Sequence, residues 1–479
     1  MMRRACSANS DDQSPDRGVM LGLLGGDSSD RLKGGHVSPV RRRTITLSRF
    51  VALAFFLTCG GPFGLEPAVY AGGAGLTLIG LVVLPIVWTV PQALMTAELA
   101  TMMPENGGQL VWVFRGLGQT LGIVNALNSL CSGLVDKCIY PNVLLAYMPW
   151  QPSDVLARTV RAAVLIALSG VNIAGLDVVA DFSAFLMVGI LTVFLAEVPY
   201  APTGFSWRQW LLLPESIDWG VLFSVLLWAS TGWDSVAVIA GEVVDPHRSL
   251  PIGIALAVII TTVSYAIPIV VGFALMPDPS LWSDGNGFFL SASRAAPWVG
   301  TTIMASAVLA NLGLCTAGLA ANSQVVCAMA RSSPTRCRIL PEWLGHVSTR
   351  FGTPANALVA QCIIMCFLVQ FDLTRLIQLT MLFNCISLLL EFAAFITLRY
   401  SEPDTLRPFS VPGGMLGAWA MTLSKGVVVI ATLATMLVSS PFVVMTGVII
   451  NIPFIAIAVH FRPLRKHTRE DSQKFIPAL

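Results

Sequence analysis

Charge is what this sequence has least of. Only 12% of its 479 residues are Asp, Glu, Lys or Arg, about half the roughly 25% of a soluble domain. Hydrophobic residues make up 55%, and mean hydropathy is +0.73. Lipid is therefore the expected solvent for most of the surface. Histidine is scarce too: His36, His247, His346, His460 and His467 fall in tails, loops or a helix end. That removes the usual ligands of an intramembrane metal enzyme. No nucleophile–base spacing suggests catalysis. Ten cysteines are present, most inside apolar runs, without CxxC spacing or a secreted disulfide framework, so free thiols are expected. The net charge of +2 comes without a basic stripe interleaved with aromatics, which argues against a nucleic-acid partner.

What is there is a series of long apolar runs. A spanning helix needs about 20 mainly apolar residues, and twelve segments qualify. They are Thr46–Tyr70, Leu76–Met102, Leu117–Tyr147, Val155–Val171, Val178–Tyr200 and Trp219–Gly241, then Leu250–Met276, Trp298–Ala330, Pro354–Phe371, Leu373–Leu398, Leu416–Val438 and Phe442–His460. The expected organisation is a disordered cytoplasmic tail over 1–45 and a ten-helix core over 46–400, with repeats at 46–200 and 219–400. Two further helices over 416–461 and a cytoplasmic tail over 462–479 complete it. Most lysines and arginines, 22 of 29, fall in the tails and inner turns. The outer segments hold only Arg158, Arg161, Arg208, Arg294 and Arg375, while Lys137 and Lys425 lie within spans. The positive-inside rule then puts both termini in the cytoplasm. Trp150, Trp207, Trp210, Trp219, Trp282 and Trp298 form an outer aromatic belt.

Two spans are interrupted. The first contains Cys59-Gly60-Gly61-Pro62-Phe63-Gly64-Leu65-Glu66-Pro67, where proline removes amide donors and glycine eases departure from helical dihedrals. The sixth contains Ala229-Ser230-Thr231-Gly232-Trp233-Asp234-Ser235. Matching breaks five helices apart are the signature of an inverted-repeat transporter with its solute site at the unwound backbone. Merely kinked helices are the plainer alternative.

Acids at membrane depth are expensive, about 2.5–3.5 kcal/mol each on insertion scales. Glu66, Asp136 and Asp234 are the central ones. Glu66 begins the helix after the first break, where it complements the macrodipole or attracts an amine in place of a solute carboxylate. Asp136 and Tyr140 share a helix face and can hold an ammonium, or form a local bridge. Adjacency alone does not pair Asp136 with Lys137, since successive helical residues face apart. Asp234 caps the second half-helix, with Trp233 as the direct solute contact, or meets the solute itself. The candidate solute contacts are thus Gly60, Gly61, Phe63 and Glu66, Asp136 and Tyr140, and Trp228, Ser230, Trp233 and Asp234. Glu66 and Asp136 are the candidates for proton coupling. Glu98 and Glu242, nearer the inner face, are expected to gate or anchor loops, and Glu391 to meet a polar neighbour in the bundle.

Gly60-Gly61-Pro62-Phe63-Gly64-Leu65-Glu66 and Thr96-Ala97-Glu98-Leu99-Ala100-Thr101-Met102-Met103-Pro104-Glu105-Asn106-Gly107-Gly108 resemble the polyamine:proton symporters of the amino acid–polyamine–organocation superfamily. So do Gly232-Trp233-Asp234-Ser235, the stretch from Ala240 to Pro246, Arg350-Phe351-Gly352-Thr353-Pro354, and the landmarks from Glu391 to Arg407-Pro408-Phe409. The similarity runs from about Arg49 to Pro412, with plant and protozoan polyamine permeases nearest. It implies an all-α, twelve-helix leucine-transporter-like fold with a 5+5 inverted repeat. It also implies uptake of putrescine- or spermidine-type cations with protons and without a cofactor. The first break lacks the serine of the amino acid carriers' pattern, which suits a solute without a carboxylate. The fifth span lacks the lysine of some proton-coupled relatives, so coupling would run through carboxylates. A cationic amino acid permease and a solute-sensing receptor without flux are the competing expectations. The plasma membrane is the default address.

Overall fold

The computed structural model describes residues 44–461 apart from 106, 149–151, 201–212, 284–285, 332–338 and 349. The expected tails thus lie outside the described residues save Thr44 and Ile45, as do Trp150, Trp207, Arg208 and Trp210. The described chain is helical, with one isolated bridge, Ile45 to Val243. The helices are α1 (Leu47–Thr58), α2 (Glu66–Leu84), α3 (Val90–Met102), α4 (Gln109–Leu117) and α5 (Gln119–Ala146). Next come α6 (Asp154–Ala174), α7 (Leu176–Glu197), α8 (Trp219–Ala229), α9 (Pro246–Leu275) and α10 (Gly287–Ala295). The last are α11 (Pro297–Ala330), α12 (Ala355–Leu368), α13 (Leu373–Ser401), α14 (Gly414–Ser439) and α15 (Pro441–His460).

Eight helices among the described residues are long and apolar enough to cross a bilayer. Twelve spans were expected, and the difference has local causes. α1 and α8 are cut short by the breaks that follow them. α5 is long enough, but Asn125, Asn128, Asp136, Lys137 and Asn142 dilute its apolarity. α12 has 14 residues. The run Glu66–Met102 is interrupted at Gly73, whose φ of 75° is not helical, and passes through a π-turn at Pro85–Thr89. Proline at position 85 brings no amide to the ladder, which favours such a turn. The sequence gives no expectation for α4 or α10. Each has only nine residues, too few for a spanning signal.

α11 and α13 form the buried centre, their apolar windows 72% and 67% buried, and both pack against α5. α14 and α15 are 22% and 17% buried and turn large apolar side chains outward, as a lipid-facing surface requires. The chain is an all-helical integral membrane protein.

Both expected breaks occur. After α1, Gly60, Gly61 and Gly64 all have positive φ. After α8, Gly232 has φ 93°, and residues 235–242 continue as a 3-10 helix. The two breaks touch. A Cβ on Gly232 would lie 2.3 Å from the carbonyl oxygen of Leu57 at the end of α1. Gly118 has a similar φ of 81° but open space around it. We expect Gly232→Ala to lower the detergent melting temperature clearly more than Gly118→Ala. Both carry backbone strain of about 1–3 kcal/mol, but only the former also drives the breaks apart. Equal shifts would show that this approach does not matter.

Candidate functional site

Both breaks find partners for exposed backbone groups within the protein. Gly61 N–H lies 3.2 Å from Cys59 Sγ, and Gly64 N–H donates to Glu66 Oε2 at 2.8 Å. In the second break, Tyr265 on α9 donates its hydroxyl to the Ala229 carbonyl at 2.8 Å, and Thr231 returns to the Trp228 carbonyl at 2.8 Å. Between the breaks lies a cavity with about 100 Å³ of water-accessible space. Its walls come from both breaks, from Ser129–Tyr140 on α5, from Leu314–Val325 on α11 and from Thr380–Asn384 on α13.

One carboxylate dominates the lining. Asp136 Oδ2 accepts from Tyr140 Oη at 2.8 Å and from Lys137 Nζ at 2.6 Å, and its Oδ1 accepts from Trp228 Nε1 at 3.1 Å. The Lys137 ammonium sits 5.8 Å from the Tyr140 ring centroid. Its stem lies against Gly318, where a Cβ would meet Lys137 Cε at 2.1 Å. Of the two roles expected for Asp136, the local bridge is therefore the one seen, although adjacency alone does not make the pair. The flexible lysine stem, resting on a glycine of α11, swings back to its own neighbour. Asp234 is the second lining carboxylate. Its expected capping role is corrected, because its side chain makes no capping hydrogen bond and the segment that follows is 3-10 rather than α-helical.

Of the ten expected solute contacts, Gly61, Phe63, Asp136, Tyr140, Trp228 and Asp234 line the cavity. The other four lie outside the lining. Gly60 is covered by Leu314. Ser230 donates to the Leu226 carbonyl at 2.8 Å. Trp233 is 1% exposed and packs in the apolar core. Glu66 is fully buried, with one oxygen on Gly64 N–H and the other taking the Tyr147 hydroxyl. Lining residues that sequence reasoning missed include Tyr265, Asn322 and Asn384. Each is a polar interruption of an apolar run, but nothing in the spacing says which neighbour it meets.

An aromatic stack covers one end. Phe63 meets Tyr147 edge-on at 5.3 Å and Phe288 of α10 at 6.3 Å, and Phe288 meets Trp282 at 5.1 Å. In the other direction the lining extends to Gln109 and Val325.

Glu98 and Glu242 lie away from the cavity lining. Glu98 accepts from Arg399 Nε at 3.0 Å and from Val411 N–H at 2.7 Å, and Arg407 Nε lies 3.3 Å away. One buried carboxylate thus ties α3 to the end of α13 and the following loop. The Glu242 backbone carbonyl accepts from Thr44 and Ile45 N–H, both at 3.0 Å. Glu391, expected to meet a polar neighbour, has no hydrogen-bond partner for either carboxyl oxygen among the described residues. The side chains around it on α13 are chiefly apolar. Among the described residues no group of three His, Cys, Asp or Glu could hold a metal.

A family model described as amino acid permease matches residues 51–462. Polyamine transporter PUT1 of Oryza sativa subsp. japonica is 32% identical over 419 residues, covering 86% of this chain and 77% of that protein. Polyamine transporter RMV1 of Arabidopsis thaliana is 29% identical over 423 residues, 86% of this chain and 84% of the relative. An uncharacterized transporter of Mycobacterium tuberculosis, Rv1999c, is 29% identical over 398 residues, 81% and 88% of the two chains.

Removing a partner from a buried ion pair typically costs about 3–5 kcal/mol. Glu98→Ala leaves Arg399 and Arg407 facing an empty site. We expect a large loss of thermal stability and of folded yield by size-exclusion chromatography. Glu402→Ala, whose bond to Arg115 is partly exposed, is expected to cost about 1 kcal/mol or less.

Proposed function

The chain belongs to the amino acid permease family, and from that membership we propose that it takes up polyamines of the putrescine and spermidine class by proton-coupled alternating access. It is a membrane transporter and not an enzyme. We read α1 to α7 and α8 to α13 as two inverted repeats whose interrupted helices make the solute site. On that reading α14 and α15 complete twelve spans.

One observation carries the choice of solute. An ammonium already sits in the cavity, that of Lys137, held by Asp136 and near the Tyr140 ring, while Tyr140 and Trp228 donate to Asp136. The lining holds Asp136 and Asp234 against Lys137, a net single negative charge when all three are ionised. A solute ammonium can displace Lys137 from Asp136, while a second amine pairs with Asp234. The methylenes between them rest on Phe63 and Trp228. A hydrogen bond to a charged group contributes about 1.5–3 kcal/mol, so each pairing offsets part of the cost of drying the solute.

Glu66 supports a solute lacking a carboxylate. In carriers with broken helices, the half-helix amino terminus normally receives the anionic group of the solute. Here the Glu66 carboxylate fills that role on Gly64 N–H. Glu66, behind the lining, and Asp136, within it, are the candidates for proton coupling under this reading. Support from relatives is the naming of PUT1 and RMV1 as polyamine transporters. With both termini cytoplasmic and the plasma membrane as its address, the aromatic stack on Phe63 closes the outer path. The cavity then extends inward.

A second reading is a cationic amino acid permease, favoured by the Lys137 ammonium as a seat for a solute carboxylate. Radiolabelled putrescine uptake in a transport-null cell, competed with spermidine, arginine and lysine, separates the two. We expect polyamines to compete at least tenfold better than basic amino acids. Asp136→Asn should cut uptake by about tenfold or more, the worth of one charged hydrogen bond. Lys137→Met, which frees Asp136, should lower the KM for putrescine. Wild-type kinetics in both variants, or preference for arginine, would reject the polyamine site.

A further inference from the structure

The strongest unexplained feature outside the cavity is a dry cluster between α3, α13 and α14. Glu391 is fully buried and neither of its oxygens has a donor among the described residues. Lys425, on the otherwise lipid-facing α14, is also fully buried. Its ammonium donates to Gln92 Oε1 at 3.2 Å, lies 3.1 Å from Met95 Sδ and sits 4.2 Å from the Phe392 ring centroid. On the α3 side, Gln92 and Thr96 lie four residues apart and share a face, and Trp88 stands in the π-turn just before them. Trp88 Nε1, Gln92 Nε2 and Thr96 Oγ1 are all buried without partners among the described residues. The Trp88 ring meets Phe392 at 6.1 Å.

Donors without acceptors and an acceptor without donors thus occupy one cluster. A bare carboxylate in such a place is costly beyond what any fold tolerates cheaply. A protonated one is neutral. Lys425, by contrast, has acceptors and an aromatic face, which suit an ammonium. The charged neighbours of Glu391 are Lys425 and Asp234, and Asp234 lines the cavity. The charge at the solute site and the proton on Glu391 therefore bear on one another.

We propose that Glu391 is a proton-carrying carboxyl of the transport cycle, with Lys425 as its counter-charge, one layer behind the solute cavity. This rests on the proton-coupled transport proposed above and moves the coupling site away from Glu66 and Asp136. In the arrangement described, Glu391 holds its proton and Lys425 rests on Gln92, Met95 and Phe392. When the proton leaves to water, the carboxylate draws on Lys425 or on the idle donors of Trp88, Gln92 and Thr96. α13 also lines the cavity at Thr380–Asn384, so a shift at Glu391 reaches the solute through one helix.

The other charges around α13 are already matched or distant. α5 brings the Asp136–Lys137 pair, with Tyr140 and the thiols of Cys131 and Cys138. α4 brings Arg115, paired with Glu402, and α3 brings Glu98, paired with Arg399 and Arg407. α8 carries no titratable residue, and α15 carries only His460 at its end. On α13 itself, Cys385 is a buried thiol, Arg375 pairs with Asp372 at one end, and Tyr400 lies at the other.

The full chain reconstituted in vesicles tests this. With one proton per solute, a gradient of one pH unit sustains about tenfold putrescine accumulation. Glu391→Gln should lose that accumulation, falling about tenfold to the external level, while putrescine counterflow stays within about twofold of wild type. Lys425→Gln should shift the pH profile of uptake. Infrared spectra of wild type should show a buried protonated carboxyl that Glu391→Gln lacks. If Glu391→Gln keeps gradient-driven accumulation, or the carboxyl band survives the substitution, the proposal is overturned. If Glu391→Gln fails to fold, the decision passes to the double variant Glu391→Gln/Lys425→Gln, which removes both charges. It should exchange putrescine without responding to the gradient, and a gradient response would overturn the proposal. A folded wild type that carries the band yet moves no polyamine leaves Glu391 as a proton site and defeats the solute assignment instead.

Discussion

Backbone that unwinds inside a bilayer must find every hydrogen-bond partner within the protein, because the hydrocarbon offers none. This constraint governs the whole centre of the molecule. Gly64 N–H takes a carboxylate from its own chain two residues on. The last carbonyl of α8 takes a tyrosine hydroxyl from α9. Gly232 brings the second break to within contact of the first. The cavity is what remains between two strands of irregular backbone that support one another. Its depth and its polarity have the same origin.

From there the fate of each buried charge is decided by who else is close. Glu66 is spent on the backbone and on Tyr147, so it fixes the shape of the break. Asp136 and Lys137 hold one another at the cavity wall. Glu98 gathers two arginines and a loop amide into a knot between α3 and the end of α13. Among the described residues Glu391 has no such partner, and Trp88 Nε1, Gln92 Nε2 and Thr96 Oγ1 are likewise unpaired. Four acids on similar apolar helices thus have four different lives.

Much of the architecture was legible in the sequence because it rests on local chemistry. Runs of apolar residues mark helices such as α11 and α13, and Gly-Gly-Pro and Ser-Thr-Gly interrupt them wherever they stand. The family likeness of the motifs agrees with the permease model that matches residues 51–462. The site was legible only in part. Whether Trp228 or Trp233 turns to the cavity depends on the course of the backbone from the end of α8 through Gly232, which composition does not reveal. The Asp136–Lys137 contact depends on Gly318, 181 positions away in the chain. α4 and α10 were missed because amphipathic helices of two or three turns leave little periodic signal.

The Asp136–Lys137 ion pair also bears on how an empty carrier resets. Each elementary charge moved through the membrane potential involves about 2.3 kcal/mol per 100 mV. A vacant site with a lone aspartate would drag that charge through the field on every return stroke. With Lys137 against Asp136 at 2.6 Å, the pair is instead a dipole. The pair itself then adds no net charge to that stroke, and Asp234 is left as the charged group of the lining.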